Sequence, residues 1–536
     1  MKRPTISTMT LRQKIGQTGM PSPRAFYEGV KRCGGYDKYF VEVPFTGLYL
    51  GGKMWDHTRT HVIPTPEELT KLLREASEAS EIPLLVTCDA EHGARSLFSD
   101  LHRIPTMMSV GAAASKELAY KRSYYYAKEL KYCGVNWAFS PNCDLVSNFF
   151  SMGVRTMSDQ PDISVELLPD ILRGYRDAGV AATAKHFPGR KGDYRDSHIC
   201  TSSNTLTREK WDELYKVIYK TAVDAGVESI MVSHASFPAV DPSYARGKAP
   251  RPSSASAMVI DILRKELNFE GVILTDAVSM KGIASAFERD DMYIECFNAG
   301  NDLILFCHDD YIDIMEKAVL DGRVSMQRLD ESVERILHLK EKLGLFEKNE
   351  VAPPLTPEEN REFEQINYEL AKKALTLLNN DNNMIPFSPE SVKKAAIIKL
   401  SDDEAFTKEL EVMVQAFEDR GIETTVLDHL DSKDHLKELS KENDIIVYAC
   451  LFDGINCQQP MIRKTLFDGL SFGAEKSVVA SFGTPALYYN YFESVPAYVN
   501  AYSSDAGTMK AFVDGILGDF TITGKSPVEL RPKFQD

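Results

Sequence analysis

Between Ala181 and His198 the chain reads AATAKHFPGRKGDYRDSH, and Asp196 and His198 stand two residues apart at its end. In an extended segment, side chains at i and i+2 share a face, so the Asp196 carboxylate can reach a ring nitrogen of His198. A carboxylate on one imidazole nitrogen fixes the tautomer, stabilises the imidazolium, and leaves the other nitrogen to give or take a proton near neutral pH. The spacing therefore offers a general acid/base pair. Alone, an Asp-x-His in a loop reads more readily as a solvated turn, and the rest of the chain decides between the two. Lys185 and His186 follow the small, β-branched run Val180 to Ala184, and Pro188, Gly189 and Gly192 then stop any regular element from continuing. Four side chains able to do chemistry are thus delivered to one loop.

Such a loop needs rigid elements behind it. Eight short apolar runs recur along the first part of the chain: Gly16 to Gly19, Gly47 to Leu50, Leu84 to Thr87, Val135 to Phe139, Val180 to Ala184, Ser229 to Val232, Val272 to Leu274 and Asp302 to Phe306. Between them, Pro66 to Ser80, Lys116 to Tyr132, Ser164 to Ala178, Arg208 to Ala225 and Ala257 to Leu267 carry apolar residues three and four apart, the pattern of amphipathic helices. Thr65 before Pro66-Glu67-Glu68 and Thr207 before Arg208-Glu209 supply helix starts. Repeated units of this kind predict an α/β fold, a (β/α)8 barrel of the TIM type.

In that fold the catalytic mouth is built at the C-terminal ends of the strands. The residues found there are Asp89 after the third run, Asn142 and Asp144 after the fourth, Lys185 and His186 after the fifth, His234 after the sixth, Asp276 after the seventh and His308 after the eighth. Asp276 in that position could equally cap the helix that follows. Glu91 and His92, close to Asp89, receive no role from the sequence.

Glu347 to Glu359 gathers three prolines and a cluster of acids, which reads as a linker. A new α/β pattern then begins, with a helix over Asn367 to Leu378 and strands near Ala395 to Leu400, Thr424 to Leu427, Ile445 to Ala449, Ser477 to Ala480 and Ala497 to Ala501. The expected organisation is a catalytic barrel over residues 1–345, a linker over 346–365 and a smaller open-sheet α/β sandwich domain over 366–536.

Hydrophobic residues at 43% and charged residues at 26% of 536 positions are the balance of a soluble globular enzyme. A net charge of -16 with scattered basic residues repels phosphate backbones and anionic lipid, so neither nucleic acid nor membrane is an expected partner. The N-terminus lacks the continuous apolar run of a signal peptide, and no run approaches a membrane span; the expected location is the cytoplasm. Nine cysteines, odd in number and without a CxxC pair, read as reduced and mostly buried thiols, Cys88 and Cys307 among them. The 11 histidines show no HExxH or other metal spacing, so no metal is expected.

Four motifs in order resemble glycoside hydrolase family 3 and, among its branches, the β-N-acetylhexosaminidases. They are Lys185-His186-Phe187-Pro188-Gly189 with Asp196-Ser197-His198; Met231-Val232-Ser233-His234-Ala235-Ser236-Phe237-Pro238; Gly271-Val272-Ile273-Leu274-Thr275-Asp276-Ala277-Val278-Ser279-Met280; and Ser151-Met152-Gly153-Val154-Arg155-Thr156 after Phe139-Ser140-Pro141. Ala371 to Asn379, Phe482-Gly483-Thr484-Pro485 and Gly524 to Val528 are similar to segments of the family's second domain.

The resemblance implies a retaining mechanism without a cofactor, with Asp276 as nucleophile and a histidine held by an aspartate, His198 and Asp196, as acid/base. It also implies that Asp89, Arg155, Lys185 and His186 hold sugar hydroxyls. His234 is grouped with these, and with Asp144 as a support for its neighbours. Because the Asp196–His198 pair lies on a loop, it is expected to move and to close over bound sugar.

One departure stands out. The family branch has a His-Gly or similar pair after Phe-Pro-Gly, whereas this chain has Arg190-Lys191 and a displaced Gly192. Two cations near the proposed acid disfavour imidazolium, unless they bind an anionic part of the substrate. The expected activity is that of an exo-acting β-N-acetylglucosaminidase with a carbohydrate substrate. Its alternatives are a phosphorylase using the same intermediate and a catalytically silent sugar-binding protein on the same scaffold.

Overall fold

The structure is a computed structural model that describes residues 2–51, 65–89, 91–98, 100–146, 153–193, 195–246, 249–347, 352–401, 406–428, 432–452 and 472–531. The chain packs as two compact units. One comprises Met1–His102, Ser123–Ser147 and Leu168–Thr356, the other Arg103–Arg122, Asn148–Leu167 and Pro357–Asp536.

The first unit contains the strands Gly19–Pro21 (β1), Gly47–Tyr49 (β2), Leu85–Cys88 (β3), Trp137–Ala138 (β4), Ala181–Phe187 (β5), Ser229–Val232 (β6), Val272–Thr275 (β7) and Ile304–Cys307 (β8). β2 to β7 pair in chain order, β1 pairs with β8, and every pair is parallel. A parallel bridge between Leu274 and Leu303 joins β7 to β8, and the Thr46 amide donates to the Gly19 carbonyl at 3.3 Å across the last seam. The sheet therefore closes on itself as a (β/α)8 barrel. Its strands are buried almost throughout, as parallel strands covered by helices must be.

Met20, Leu85, Trp137, Phe139, Met231 and Leu274 lie in the cluster that fills the interior. The Trp137 indole N–H donates to Thr183 Oγ1 at 2.9 Å and Ser229 Oγ at 2.8 Å, so its one polar atom is satisfied.

Two expected elements lie elsewhere. Gly16 belongs to the helix Leu11–Gln17, whose start is held by a reciprocal box between Thr10 and Gln13, and the first strand begins only at Gly19. The helix expected over Asn367 to Leu378 runs instead from Pro357 to Ala374, and Thr376–Asn380 is a strand. Pro357 at the first helical position, followed by Glu358 and Glu359 in the first turn, starts that helix inside the stretch that reads as a linker. Leu377 and Leu378 suit either element locally; pairing with a distant strand decides between them.

In the second unit that strand, Thr376–Asn380 (β9), joins Lys394–Leu400 (β10), Glu423–Leu427 (β11), Ile445–Cys450 (β12), Ser477–Ser481 (β13) and Ala497–Asn500 (β14) in the order β11-β10-β12-β13-β14-β9. All neighbours are parallel except β14 and β9. Ala395 and Ile397 of β10 enter one core cluster and Ala396 and Ile398 the other, so alternate residues feed the two faces of an open sheet. Among the described residues no helix is long and apolar enough to cross a membrane.

Candidate active site

The C-terminal end of β5 supplies Lys185 and His186, each paired with carboxylates. Its pairing with β6 shifts between Lys185 and Phe187, and the Lys185–His186 peptide is cis. Lys185, 1% exposed, donates from Nζ to Asp89 Oδ1 at 2.7 Å and pairs with Glu91 Oε1 at 2.6 Å. The other oxygen of Asp89 accepts from the Tyr49 hydroxyl at 2.7 Å. Burial pushes that phenol well above the usual tyrosine range, with the Asp89 charge adding to it, so Tyr49 stays a donor. A buried ammonium thus holds two carboxylates that come from the loop after β3.

His186 lies beside this group. Its Nδ1 is 2.7 Å from Oδ2 of the fully buried Asp144, so Nδ1–H donates and Nε2 is left for other work. Asp144 Oδ1 accepts from the Arg190 amide at 3.1 Å, which ties the start of the following loop to the end of β4. Asn142 pairs with Lys185 across the same seam, and its Oδ1 accepts from the Asp144 amide at 2.8 Å.

Asp276 follows β7 directly. Its amide donates to Val232 O at 2.9 Å, and its Oδ1 accepts from the Ala277 amide at 2.7 Å. Burial would push this carboxyl up, yet the nearby His186 and His234 rings, the Ala277 amide and the Lys185 ammonium outweigh it. The group is held below the ordinary aspartate value of 3.8 and is ionised at neutral pH.

His234 is wholly buried behind this turn, with Nε2 3.0 Å from Ala277 O and Nδ1 2.8 Å from Ser254 Oγ. A carbonyl can only accept, so Nε2–H donates and Nδ1 accepts from the serine. Burial lowers the pKa of His234 against the opposing pull of Asp276, which favours this neutral form. Both ring nitrogens are therefore engaged by the protein, the arrangement of the support that the sequence also offered for His234.

The Asp196–His198 pair is formed, with Nδ1 2.7 Å from Asp196 Oδ1 and the His198 amide donating to the same oxygen at 2.9 Å. Unlike Lys185, both partners are open to solvent, with 69% of the His198 side chain and 51% of Asp196 exposed. Burial would raise the Asp196 carboxyl; the His198 amide, the His198 ring and the Arg190 charge together hold it below its ordinary value. Arg190 also donates to Arg195 O at 3.2 Å, and Lys191 Nζ to Val146 O at 3.4 Å.

Arg155 ends the short turn Gly153–Arg155 in the second compact unit, and Ser151 and Met152 of its motif lie outside the described residues. Cys88 and Cys307 are buried free thiols within the barrel, while Cys457 is outside the described residues. Beside the Asp276 turn a cavity of about 270 Å³ is lined by Val278, Ser279, Arg289, Phe306 and His308 among others. Among the described residues no cluster of His, Cys, Asp and Glu is arranged to hold a metal. The arrangement can hold a neutral, hydroxyl-rich ligand by charge-assisted hydrogen bonds, beside an ionised carboxylate and an aspartate-oriented imidazole.

Glu91, Tyr49 and Ser254 are the groups that sequence reasoning left without a part. Glu91, two residues after Asp89, shares its partner, and the i, i+2 spacing was the available signal. Tyr49 and Ser254 carry no local signal.

A family model for the glycosyl hydrolase family 3 N-terminal domain matches residues 10–339. A β-N-acetylglucosaminidase/β-glucosidase of Cellulomonas fimi is 26% identical over 514 residues, covering 90% of this chain and 89% of that protein. The solved structure of a glycoside hydrolase family 3 β-N-acetylglucosaminidase from a Paenibacillus species is similar with a TM-score of 0.82 and 25% identity, covering 98% of this chain and 99% of that one. A solved β-glucoside phosphorylase, BglX, is alike in fold, with a TM-score of 0.82 and 24% identity over 98% of this chain and 95% of that one.

Proposed function

Since the chain belongs to glycosyl hydrolase family 3, we propose that it is a retaining, exo-acting β-N-acetylglucosaminidase with Asp276 as nucleophile and Asp196–His198 as acid/base pair. The ionised Asp276 attacks the anomeric carbon while the leaving oxygen takes a proton from His198, giving a covalent glycosyl-enzyme and the free aglycone. His198, now neutral, removes a proton from the incoming water, whose oxygen displaces Asp276 with a second inversion. Asp89, Lys185 and His186 hold sugar hydroxyls. His234 holds the Asp276 turn through the Ala277 carbonyl. The sugar preference is supported by the likeness to the Cellulomonas and Paenibacillus enzymes, and a cytoplasmic setting by the free thiols.

The observation that carries this reading is the place of Asp276 directly after β7, with its amide held by Val232 O and its carboxylate by the Ala277 amide, beside the Lys185–His186 end of β5. Its test is Asp276→Ala on an aryl β-N-acetylglucosaminide, where kcat is expected to fall by about a thousandfold or more. Unchanged turnover would remove the nucleophile assignment.

A second reading concerns only the acceptor. The Arg190 cation acts on Asp196, and a histidine acid/base carries no permanent negative charge, so an incoming phosphate would meet little repulsion. Product analysis on a defined disaccharide in phosphate buffer separates the two: free sugar marks hydrolysis, and sugar 1-phosphate marks phosphorolysis.

A further inference from the structure

The short helix Lys281–Ala284 begins five residues after Asp276. The first amides of a helix have no carbonyl within it to accept them. Here the Lys281 amide donates to His198 O at 3.2 Å and the Gly282 amide to Ser197 O at 3.0 Å. The Gly282 carbonyl in turn accepts from Thr201 Oγ1 at 3.0 Å. The loop that bears the acid/base pair is thus tied, at His198 and the residue before it, to the helix that follows the Asp276 turn.

The fit leaves no room for a side chain. A Cβ on Gly282 would lie 2.9 Å from Ser197 O, 3.4 Å from Cys200 O and 3.4 Å from the His234 Cβ. Backbone oxygens do not give way as the end of a flexible side chain does, so any larger residue displaces the 197–200 segment. The His198 ring is mostly exposed, and packing therefore does little to fix it. Its position follows from Asp196 and from where its own backbone is held.

We propose that Gly282 is a positioning residue for His198, and that it couples the acid/base loop to the nucleophile turn. This rests on the acid/base role proposed above. Proton donation matters when the leaving group is an alkoxide and hardly at all when it is a dinitrophenolate, which departs without a proton. Asp276 attack is common to both.

The experiment compares kcat/KM, which reports formation of the glycosyl-enzyme, on a 2,4-dinitrophenyl and a simple alkyl β-N-acetylglucosaminide. It is run for the full-length protein, Gly282→Ala, Thr201→Val and His198→Ala. For Gly282→Ala the ratio of dinitrophenyl to alkyl kcat/KM is expected to rise about tenfold or more, in the direction set by His198→Ala, and for Thr201→Val by a smaller factor. Azide, which needs no base, should also raise the dinitrophenyl turnover of both Gly282→Ala and His198→Ala.

An unchanged ratio in Gly282→Ala, whether rates fall equally or not at all, would overturn the proposal if His198→Ala shows the split. No split in His198→Ala would instead overturn the acid/base reading, and the role of Gly282 with it. Alanine is the better helix former, so a loss in Gly282→Ala is not a propensity effect; should that variant not fold, Thr201→Val carries the same comparison.

Discussion

The Lys185 ammonium and the Asp196–His198 pair both bring charge to the loops after β5, yet they are built on opposite plans. Lys185 ends a strand, is buried, and touches two carboxylates from the loop after β3. Asp196 and His198 lie in a loop, with most of the imidazole in water, and are held by each other and by backbone bonds. On the proposed roles, groups that hold a sugar in one geometry gain from a rigid anchor such as the buried Lys185, where a charge-assisted hydrogen bond is strong. A group that exchanges protons with leaving group and water gains from access to solvent. The physical consequence is that the first set should matter for stability and catalysis together, and the second for catalysis almost alone.

Lys185→Met is the largest test of that division. It removes the buried cation from Asp89 and from the mostly covered Glu91, so the unfolding free energy in urea is expected to fall by about 3 kcal/mol, with activity lost as well. Stability unchanged within about 0.5 kcal/mol would mean that the cluster is as loosely coupled as the loop pair. Asp196→Asn should do the reverse. Its partner is exposed, so the change in unfolding free energy is expected to stay under about 1 kcal/mol, while kcat/KM on an alkyl glycoside falls about a hundredfold. A stability loss equal to that of Lys185→Met would erase the contrast.

The smallest effect is in pH dependence. His234 has a depressed pKa in the folded state, so below its ordinary value of 6.5 the unfolded chain binds more protons than the folded one. Its contribution is complete above pH 6.5 and declines as pH falls toward the folded value. Asp276 and Asp196, also depressed, lose theirs only below about 3.8, as pH falls through their folded values. Urea unfolding at pH 7.5 and 5.5 should therefore show a loss in stability that is smaller in His234→Gln; an identical loss in both would assign it to other groups.

Much of this was legible in the chain. Asp276, His234, Lys185 and His186 follow short apolar runs at the spacing of strand–helix units, and Asp196 was set beside His198, although the pair forms in a turn, with the Asp196 carboxylate capping the His198 amide, and not in the extended segment that the spacing suggested. What escaped the sequence depended on distant partners. Leu377 lies in a strand because β14 is there to pair with it, at Val499. Lys185 meets Asp89 across 96 residues, and no local pattern records that. Gly282 has no part in the sequence reading, and only the fold sets the carbonyls of Ser197 and Cys200 where a side chain on it would lie.

The sequence by itself determined the chemistry available: one loop with an Asp-x-His pair, strand ends rich in acids and imidazoles, and the motifs of a glycosidase family. Tertiary structure alone decided how those groups divide their work. It buried Lys185 between carboxylates, turned both nitrogens of His234 to the protein, and tied the loop of Asp196 and His198 to the turn that bears Asp276. The reason is physical: residue type and short-range spacing set which bonds a side chain can make, whereas burial and the partners that offset it exist only once distant segments are packed together.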